Sequence, residues 1–87
     1  MNPRVQTVTY KSPYRLILFF TNGEQKEFDF SPYLSYPVFE QLRNESFCRK
    51  VKVTNGIVAW NDEIDFDPDT LYIESKLLNE SHSLKTK

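Results

Sequence analysis

Residues 15–30 read RLILFFTNGEQKEFDF and contain an Asn-Gly pair, Asn22-Gly23, between two runs rich in apolar residues. A second pair, Asn55-Gly56, lies between KVKVT (residues 50–54) and IVAW (residues 57–60). Asn and Gly readily adopt the two positive φ angles that a two-residue type I′ turn requires, so each pair predicts a β-hairpin. The hairpins predict a framework for the fold and leave the chemistry of the protein open.

The first hairpin predicts two unequal strands. If Asn22-Gly23 forms a two-residue loop, Ile17 pairs with Phe28, and both point to one side because cross-strand partners share a face. Phe19 and Phe30 fall on that side as well. The opposite side holds apolar Leu16, Leu18 and Phe20 on one strand and polar Gln25, Glu27 and Asp29 on the other. The first strand is therefore expected to be apolar on both faces and central in its sheet.

The second hairpin predicts a single apolar face. Its loop pairs Val53 with Val58 and Val51 with Trp60, so these four side chains share one side of the ribbon.

A further strand is expected over residues 3–10. The spacing of Val5 and Val8 in that strand indicates a bulge or an irregular start.

Short helices are expected between and after the hairpins. Ser31 and Asp67 each precede a proline, which is the pattern of a helix N-cap followed by a favoured first residue. Further helical segments are expected over residues 38–43, 47–49 and 70–78, with an interruption at residues 44–46.

The length of 87 residues suits one domain. We expect a single α+β domain over residues 1–78, with an antiparallel sheet of about five strands built on the two hairpins and short helices. Residues 79–87 contain one apolar side chain, Leu84, and are expected to form a disordered C-terminal tail.

Composition argues against several classes of function. The net charge of −1 and the pI of about 5.8 lack the positive field of a nucleic-acid binder, so no direct nucleic-acid binding is expected. No apolar run approaches the ~20 residues of a membrane span, and no signal peptide is evident. A single cysteine cannot form an internal disulfide. We therefore expect a cytoplasmic protein that needs no cofactor.

The acidic segment over residues 62–69 is the densest polar cluster, and it raises the question of a metal site. Asp65, Asp67 and Asp69 alternate as in a calcium loop, but such a loop needs a glycine at its sixth position and a glutamate at its twelfth. This chain has Thr70 and Lys76 there. A solvated strand edge followed by a capped helix is the favoured interpretation, and no metal site is expected.

No catalytic arrangement is expected, and the protein is predicted not to be an enzyme. His82 is the only histidine and lies in the predicted tail, where a base would lack a fixed geometry. Cys48 has no histidine in a structured position to activate it and is expected to be a small buried apolar residue.

Tyr33 and Tyr36 are the candidate partner-binding residues. They flank a short proline-bounded segment in which full burial is difficult, and tyrosine is enriched in protein interfaces. The alternative is that this helical turn packs onto the sheet. Strand edges offer a second means of association, because they can pair with another chain.

The chain resembles the bacterial family called domain of unknown function 2442 over residues 3–74. The residues that carry the resemblance are Pro3-Arg4-Val5, Tyr14-Arg15-Leu16, Leu18 to Glu24, Phe28-Asp29, Pro32-Tyr33-Leu34, Phe39, Leu42, Phe47, Val51, Val53, Gly56-Ile57, Trp60 and Asp67 to Tyr72.

The resemblance implies a small α+β fold and brings no catalytic residues. It implies that relatives are short single-domain products, sometimes encoded beside another small protein as in a toxin–antitoxin pair, and that some carry a C-terminal helix-turn-helix domain. The expected function is a non-catalytic interaction module, an antitoxin-like partner of a small neighbouring protein. The alternative is a dimerisation or ligand-sensing module related to helix-turn-helix regulators. The expected partner is thus another small protein or a second copy of the chain.

Overall fold

The computed structural model describes residues 2–78. Its strands are β1 Val5–Lys11, β2 Arg15–Phe20, β3 Gln25–Asp29, β4 Lys52–Thr54, β5 Ile57–Ala59, β6 Asp65–Phe66 and β7 Lys76–Leu77. Its helices are two 3₁₀ helices, Ser31–Ser35 and Pro37–Arg43, and two α-helices, α1 Glu45–Cys48 and α2 Pro68–Glu74. The tail predicted over residues 79–87 lies outside the described residues.

The strands form two antiparallel sheets, which confirms the predicted α+β class and revises the single sheet of about five strands. One sheet has the order β1-β2-β3-β7 and the other the order β4-β5-β6. Strand β1 of the first sheet lies against β4 of the second, so the two sheets meet along this line. Each hairpin belongs to a different sheet, and local turn signals could not show that.

The predicted register of the first hairpin is wrong by one residue. The amide of Phe20 donates to the carbonyl of Glu24 at 2.9 Å, and Leu16 lies opposite Phe28. The loop therefore has three residues, Thr21 to Gly23, with Gly23 at φ +91°. Such loops close hairpins as readily as two-residue turns when a glycine takes the left-handed position.

A shift of one residue exchanges the two faces of a strand. The observed register directs Leu16, Leu18 and Phe20 to the core together with Phe28, and it turns Ile17 outward. The predicted register would have set the same three apolar side chains opposite three polar residues. In the observed register, Lys26 is the only polar residue of this hairpin that is buried on that face, because Glu24, opposite Phe20, keeps partial exposure.

The second hairpin follows the prediction. Val53 lies opposite Val58, and the turn residues Asn55 and Gly56 have φ angles of +53° and +81°. Two positive φ angles in a two-residue loop define the type I′ turn that Asn-Gly favours. Val58 and Trp60 are buried.

Arg4 connects the two hairpin turns. Its backbone exchanges hydrogen bonds with Thr21, since the Thr21 amide donates to the Arg4 carbonyl at 2.8 Å and the Arg4 amide donates to Thr21 Oγ1 at 3.3 Å. The Arg4 guanidinium donates to the Asn55 carbonyl at 2.8 Å. Gly56 is buried beneath Arg4, and a Cβ at Gly56 would lie 3.0 Å from the Cβ of Arg4.

The helical segments agree with the predictions in part. Asp67 caps α2, because its carboxylate accepts from the Thr70 amide, but the helix ends at Glu74. Ser31 is not an N-cap; it is the first residue of its 3₁₀ helix, and its amide donates to Asp29 Oδ1 at 2.9 Å. The predicted interruption at residues 44–46 is confined to Asn44, which is extended and caps α1 by accepting from the Ser46 amide, so Glu45 and Ser46 already belong to that helix.

The buried residues form one cluster between the two sheets and the helices: Val5, Leu16, Leu18, Phe20, Phe28, Phe30, Leu42, Cys48, Val58, Trp60, Ile64, Phe66 and Leu71. Trp60 uses its indole N–H to bond the Cys48 carbonyl at 2.9 Å, so its polar atom has a partner inside the core. Cys48 is fully buried, as its interpretation as a small apolar residue predicts.

We predict that Gly56→Ala destabilises the protein more than Gly23→Ala. Both positions have positive φ, which costs a non-glycine residue about 1–2 kcal/mol. An added Cβ at Gly56 also meets Arg4, whereas at Gly23 it meets no atom within 4 Å. Urea denaturation of the two variants measures the difference in the free energy of unfolding. Equal losses would contradict the role assigned to the Arg4 contact.

Candidate interaction surface

Tyr33 is half-buried in an aromatic stack. Its ring lies 5.8 Å from that of Phe39 at 19° and 5.2 Å from that of Phe66 at 23°, measured between centroids and between ring planes. Its hydroxyl donates to the carboxylate of Glu74 in α2. Tyr33 therefore joins the first 3₁₀ helix to β6 and α2.

Tyr36 lies at the outer end of this stack. Its ring centroid is 6.1 Å from that of Tyr33, and the side chain is 55% exposed. Tyr36 is the extended residue (φ −82°, ψ +134°) between the two 3₁₀ helices. The next residues are exposed Pro37 and Val38, the latter also 55% exposed. We call Tyr36, Pro37 and Val38 the Tyr36 surface.

A shallow groove of about 280 Å³ adjoins the Tyr36 surface and is lined by Leu34, Ser35, Tyr36, Pro37, Glu40 and Arg43. Residues three apart eclipse each other in a 3₁₀ helix, so Pro37, Glu40 and Arg43 share one face of the second helix. Arg43 also holds the two helices together, because its Nε donates to the Leu34 carbonyl at 3.2 Å. The groove thus has an apolar end and an end carrying both signs of charge.

The two tyrosines named from the sequence therefore lie side by side in different environments. Tyr33 packs against its neighbours, which is the alternative weighed for this segment, while Tyr36 presents most of its ring to solvent. Their use by a partner stays a prediction. Val38 was not named from the sequence, because it lies beyond the segment that Pro32 and Pro37 bound, in the second 3₁₀ helix.

The hydroxyl of Tyr33 is expected to titrate far from its ordinary range. The hydrogen bond to Glu74 raises the pKa of Tyr33 from 10.0 to about 12, and burial adds to the shift. We predict that Glu74→Gln brings this pKa back toward 10, because the amide places no negative charge beside the phenolate. A pH titration of the tyrosine ring resonances by NMR measures it. An unchanged Tyr33 pKa in the variant would contradict the assignment.

Lys26 is the buried residue that sequence reasoning missed. It is only 8% exposed, its Nζ donates to the Tyr72 carbonyl at 2.5 Å, and the same nitrogen lies 3.9 Å from the centroid of the Tyr72 ring. A cation beside the last carbonyls of a helix is favourably placed in the field of the helix dipole. Lys26 thereby fastens β3 to the end of α2. Its burial follows from the hairpin register, which the sequence pattern misassigned.

A second polar cluster surrounds the carboxylate of Glu45. Glu45 Oε1 accepts from the Ser12 hydroxyl at 2.6 Å and from the Tyr10 hydroxyl at 2.8 Å. The Tyr10 oxygen accepts in turn from the Tyr14 amide at 3.0 Å. Tyr14 has φ +59°, which is costly for a bulky residue, so these bonds help to hold the β1–β2 turn in its conformation.

The Glu45 cluster predicts acid sensitivity. Hydrogen bonds from Ser12 and Tyr10 hold the pKa of Glu45 below its ordinary value of 4.5. A lowered pKa stabilises the folded state above the unfolded pKa, and this contribution disappears as pH falls through the folded pKa. We predict that the stability advantage of the natural protein over Glu45→Gln is constant near neutral pH and shrinks below about pH 4.5. Denaturation curves at several pH values test this, and a pH-independent difference would refute it.

The acidic segment has structural partners. Asp67 accepts from the hydroxyl of Thr70 at 2.7 Å as well as from its amide, and these hydrogen bonds lower the pKa of Asp67. Within residues 2–78, no three His, Cys, Asp or Glu side chains are grouped so that they could hold a metal ion. His82 lies outside that range. In the same range, no helix is long and apolar enough to cross a membrane.

The fold and surface define a small α+β domain that presents an aromatic turn to solvent. Comparison with protein families then assigns the chain: the family described as Protein of unknown function (DUF2442) matches residues 5–76. The chain therefore belongs to this family, as the resemblance indicated. No curated protein and no solved structure matches the chain.

Proposed function

We propose that this protein is a non-catalytic interaction module, the antitoxin-like partner of a small protein encoded by a neighbouring gene, and that the Tyr36 surface makes the contact. One observation carries the proposal: Tyr36 and Val38 are each 55% exposed on either side of Pro37, in a segment anchored to the core. The proposed place of action is the cytoplasm.

The anchoring gives the Tyr36 surface the character of a binding site. The centroid of Tyr33, which stacks on Phe66, lies 6.1 Å from that of Tyr36, and Pro37 restricts the backbone beside it. An aromatic side chain held in place loses little conformational entropy when a partner covers it. Tyrosine is also among the residue types that contribute most to binding energy in interfaces.

The proposed mechanism is steric masking of the partner's surface. The exposed Tyr36 ring and Val38 would fill apolar depressions of the partner, while Glu40 and Arg43 at the groove set its orientation through charge. Charged groups at an interface contribute more to specificity and association rate than to affinity. No chemical step is required of this chain.

The non-catalytic part of the proposal is supported by the state of the only thiol. Cys48 is fully buried, and burial raises the pKa of its thiol above the ordinary value of 9.0. Its Sγ is 3.0 Å from the Leu42 carbonyl, to which it donates. A thiol in this state is a poor nucleophile, since the thiolate is the reactive form.

Co-purification with the product of the adjacent gene tests the proposal. We expect a complex in which Tyr36→Ala weakens affinity about tenfold or more, because a central aromatic contact is lost. Tyr36→Phe should retain most of the binding. Both variants should keep the thermal stability of the natural protein, since the ring is largely exposed.

Ile57→Ala is the matched control, because Ile57 is an exposed apolar residue in β5 and is not part of the Tyr36 surface. It should bind normally. A complex that tolerates Tyr36→Ala would move the contact elsewhere on the protein. If the neighbouring product does not bind the natural chain, the antitoxin-like role is refuted.

A further inference from the structure

The outer edge of β7 offers backbone hydrogen-bonding groups to another strand. Within residues 2–78, β7 is the last strand of its sheet, with β3 on one side. The Leu78 amide donates to the Gln25 carbonyl at 3.0 Å, and Leu77 lies opposite Lys26. Backbone groups of successive residues in an antiparallel ladder point to opposite neighbours. The backbone groups of Leu78 point to β3. The N–H and C=O of Leu77 therefore point away from β3, toward the outer edge of β7.

Two exposed aliphatic side chains belong to the same C-terminal segment. Leu77 is 39% exposed in β7, and Ile73, at the end of α2, is 70% exposed. Helix α2 leads into β7 through Ser75 alone, so Ile73 is close in sequence to the strand edge. An open strand edge accompanied by exposed apolar side chains is a surface on which chains associate.

We infer that β7 pairs with β7 of a second copy of this chain, forming an antiparallel, two-fold symmetric dimer. An antiparallel pair of identical strands is self-complementary, which is what a two-fold interface requires. The pairing would join two four-stranded sheets into one continuous sheet.

Charge and hydrogen-bond direction select one register. Lys76 and Leu77 are successive residues, so their side chains point to opposite faces of the sheet, whereas cross-strand partners share a face. Lys76 of one copy therefore cannot pair with Leu77 of the other. Lys76 opposite Lys76 would set like charges against each other, which is destabilising. Leu77 opposite Leu77 avoids this and lets the outward N–H and C=O of each Leu77 bond those of the other.

The inferred dimer goes beyond the proposed function and involves elements other than the Tyr36 surface. Its interface is one strand of two residues per copy, with Leu77 as the exposed aliphatic side chain of that strand, which places it below the roughly 1,200 Å² of stable complexes. Self-association should therefore be weak and concentration-dependent.

Leu77→Pro tests the inference by sedimentation equilibrium. Proline removes the N–H that points to the open edge and spares the ladder with β3, where edge strands tolerate it. We expect the natural chain to dimerise and the variant to raise the dimer dissociation constant at least about tenfold, through the loss of two hydrogen bonds. Leu77→Val keeps the N–H and a β-favouring apolar side chain, and it should dimerise like the natural chain.

Hydrogen exchange provides a measurement that does not depend on the folding of a variant. In the natural chain, protection of the Leu77 amide should rise with protein concentration. A natural chain that stays monomeric at millimolar concentration would overturn the inference, and so would a Leu77→Pro dimer of unchanged affinity. Neither result bears on the complex with the neighbouring product, which Tyr36→Ala tests separately.

Discussion

The register of the β2–β3 hairpin controls the composition of the core. With Phe20 bonded to Glu24, the buried face combines Leu16, Leu18 and Phe28. Among residues 2–78, Lys26 is the only polar or charged residue that is buried, and its ammonium finds a carbonyl and an aromatic face at Tyr72. A buried cation without such partners would be costly, so the hairpin register and the position of α2 depend on each other.

Arg4 has a comparable role at the two hairpin turns. The two hairpins belong to separate sheets, and Arg4 bonds to both of their turns, at Thr21 and at Asn55. Its side chain also covers Gly56 closely. The type I′ turn of the second hairpin is therefore both a local preference and a packing requirement, since only glycine leaves room for Arg4.

The Tyr36 surface results from two short helices, the first of which ends and the second of which begins at Tyr36. Neither 3₁₀ helix has a side-chain cap, and Tyr36 is the extended residue between them. Tyr33, one turn earlier, faces Phe39 and Phe66. A change of backbone conformation over three residues thus separates a packed tyrosine from an exposed one. The proposed partner-binding role uses this rigid support, and the inferred self-association uses the edge of β7.

Local signals determined the parts of this protein that depend on a few neighbouring residues. Asn55-Gly56 predicted its turn type and pairing, and Asp67-Pro68 predicted a helix start, because both effects act within about four residues. The α+β class followed from the same signals. The candidate pair Tyr33 and Tyr36 was identified from proline spacing, but its division into a packed and an exposed ring was not.

Tertiary structure decided the features that depend on residues far apart in the chain: the hairpin register, the burial of Lys26 and the division into two sheets. The sequence Thr21-Asn22-Gly23 is compatible with a two-residue or a three-residue loop, and the choice rests on which face packs against Trp60, Phe66 and the helices. The burial of Lys26 and the division into two sheets follow from that choice and from contacts with residues as far along the chain as Tyr72. A pattern of neighbouring residues contains no information on those contacts, because they form only when the whole chain packs around one core.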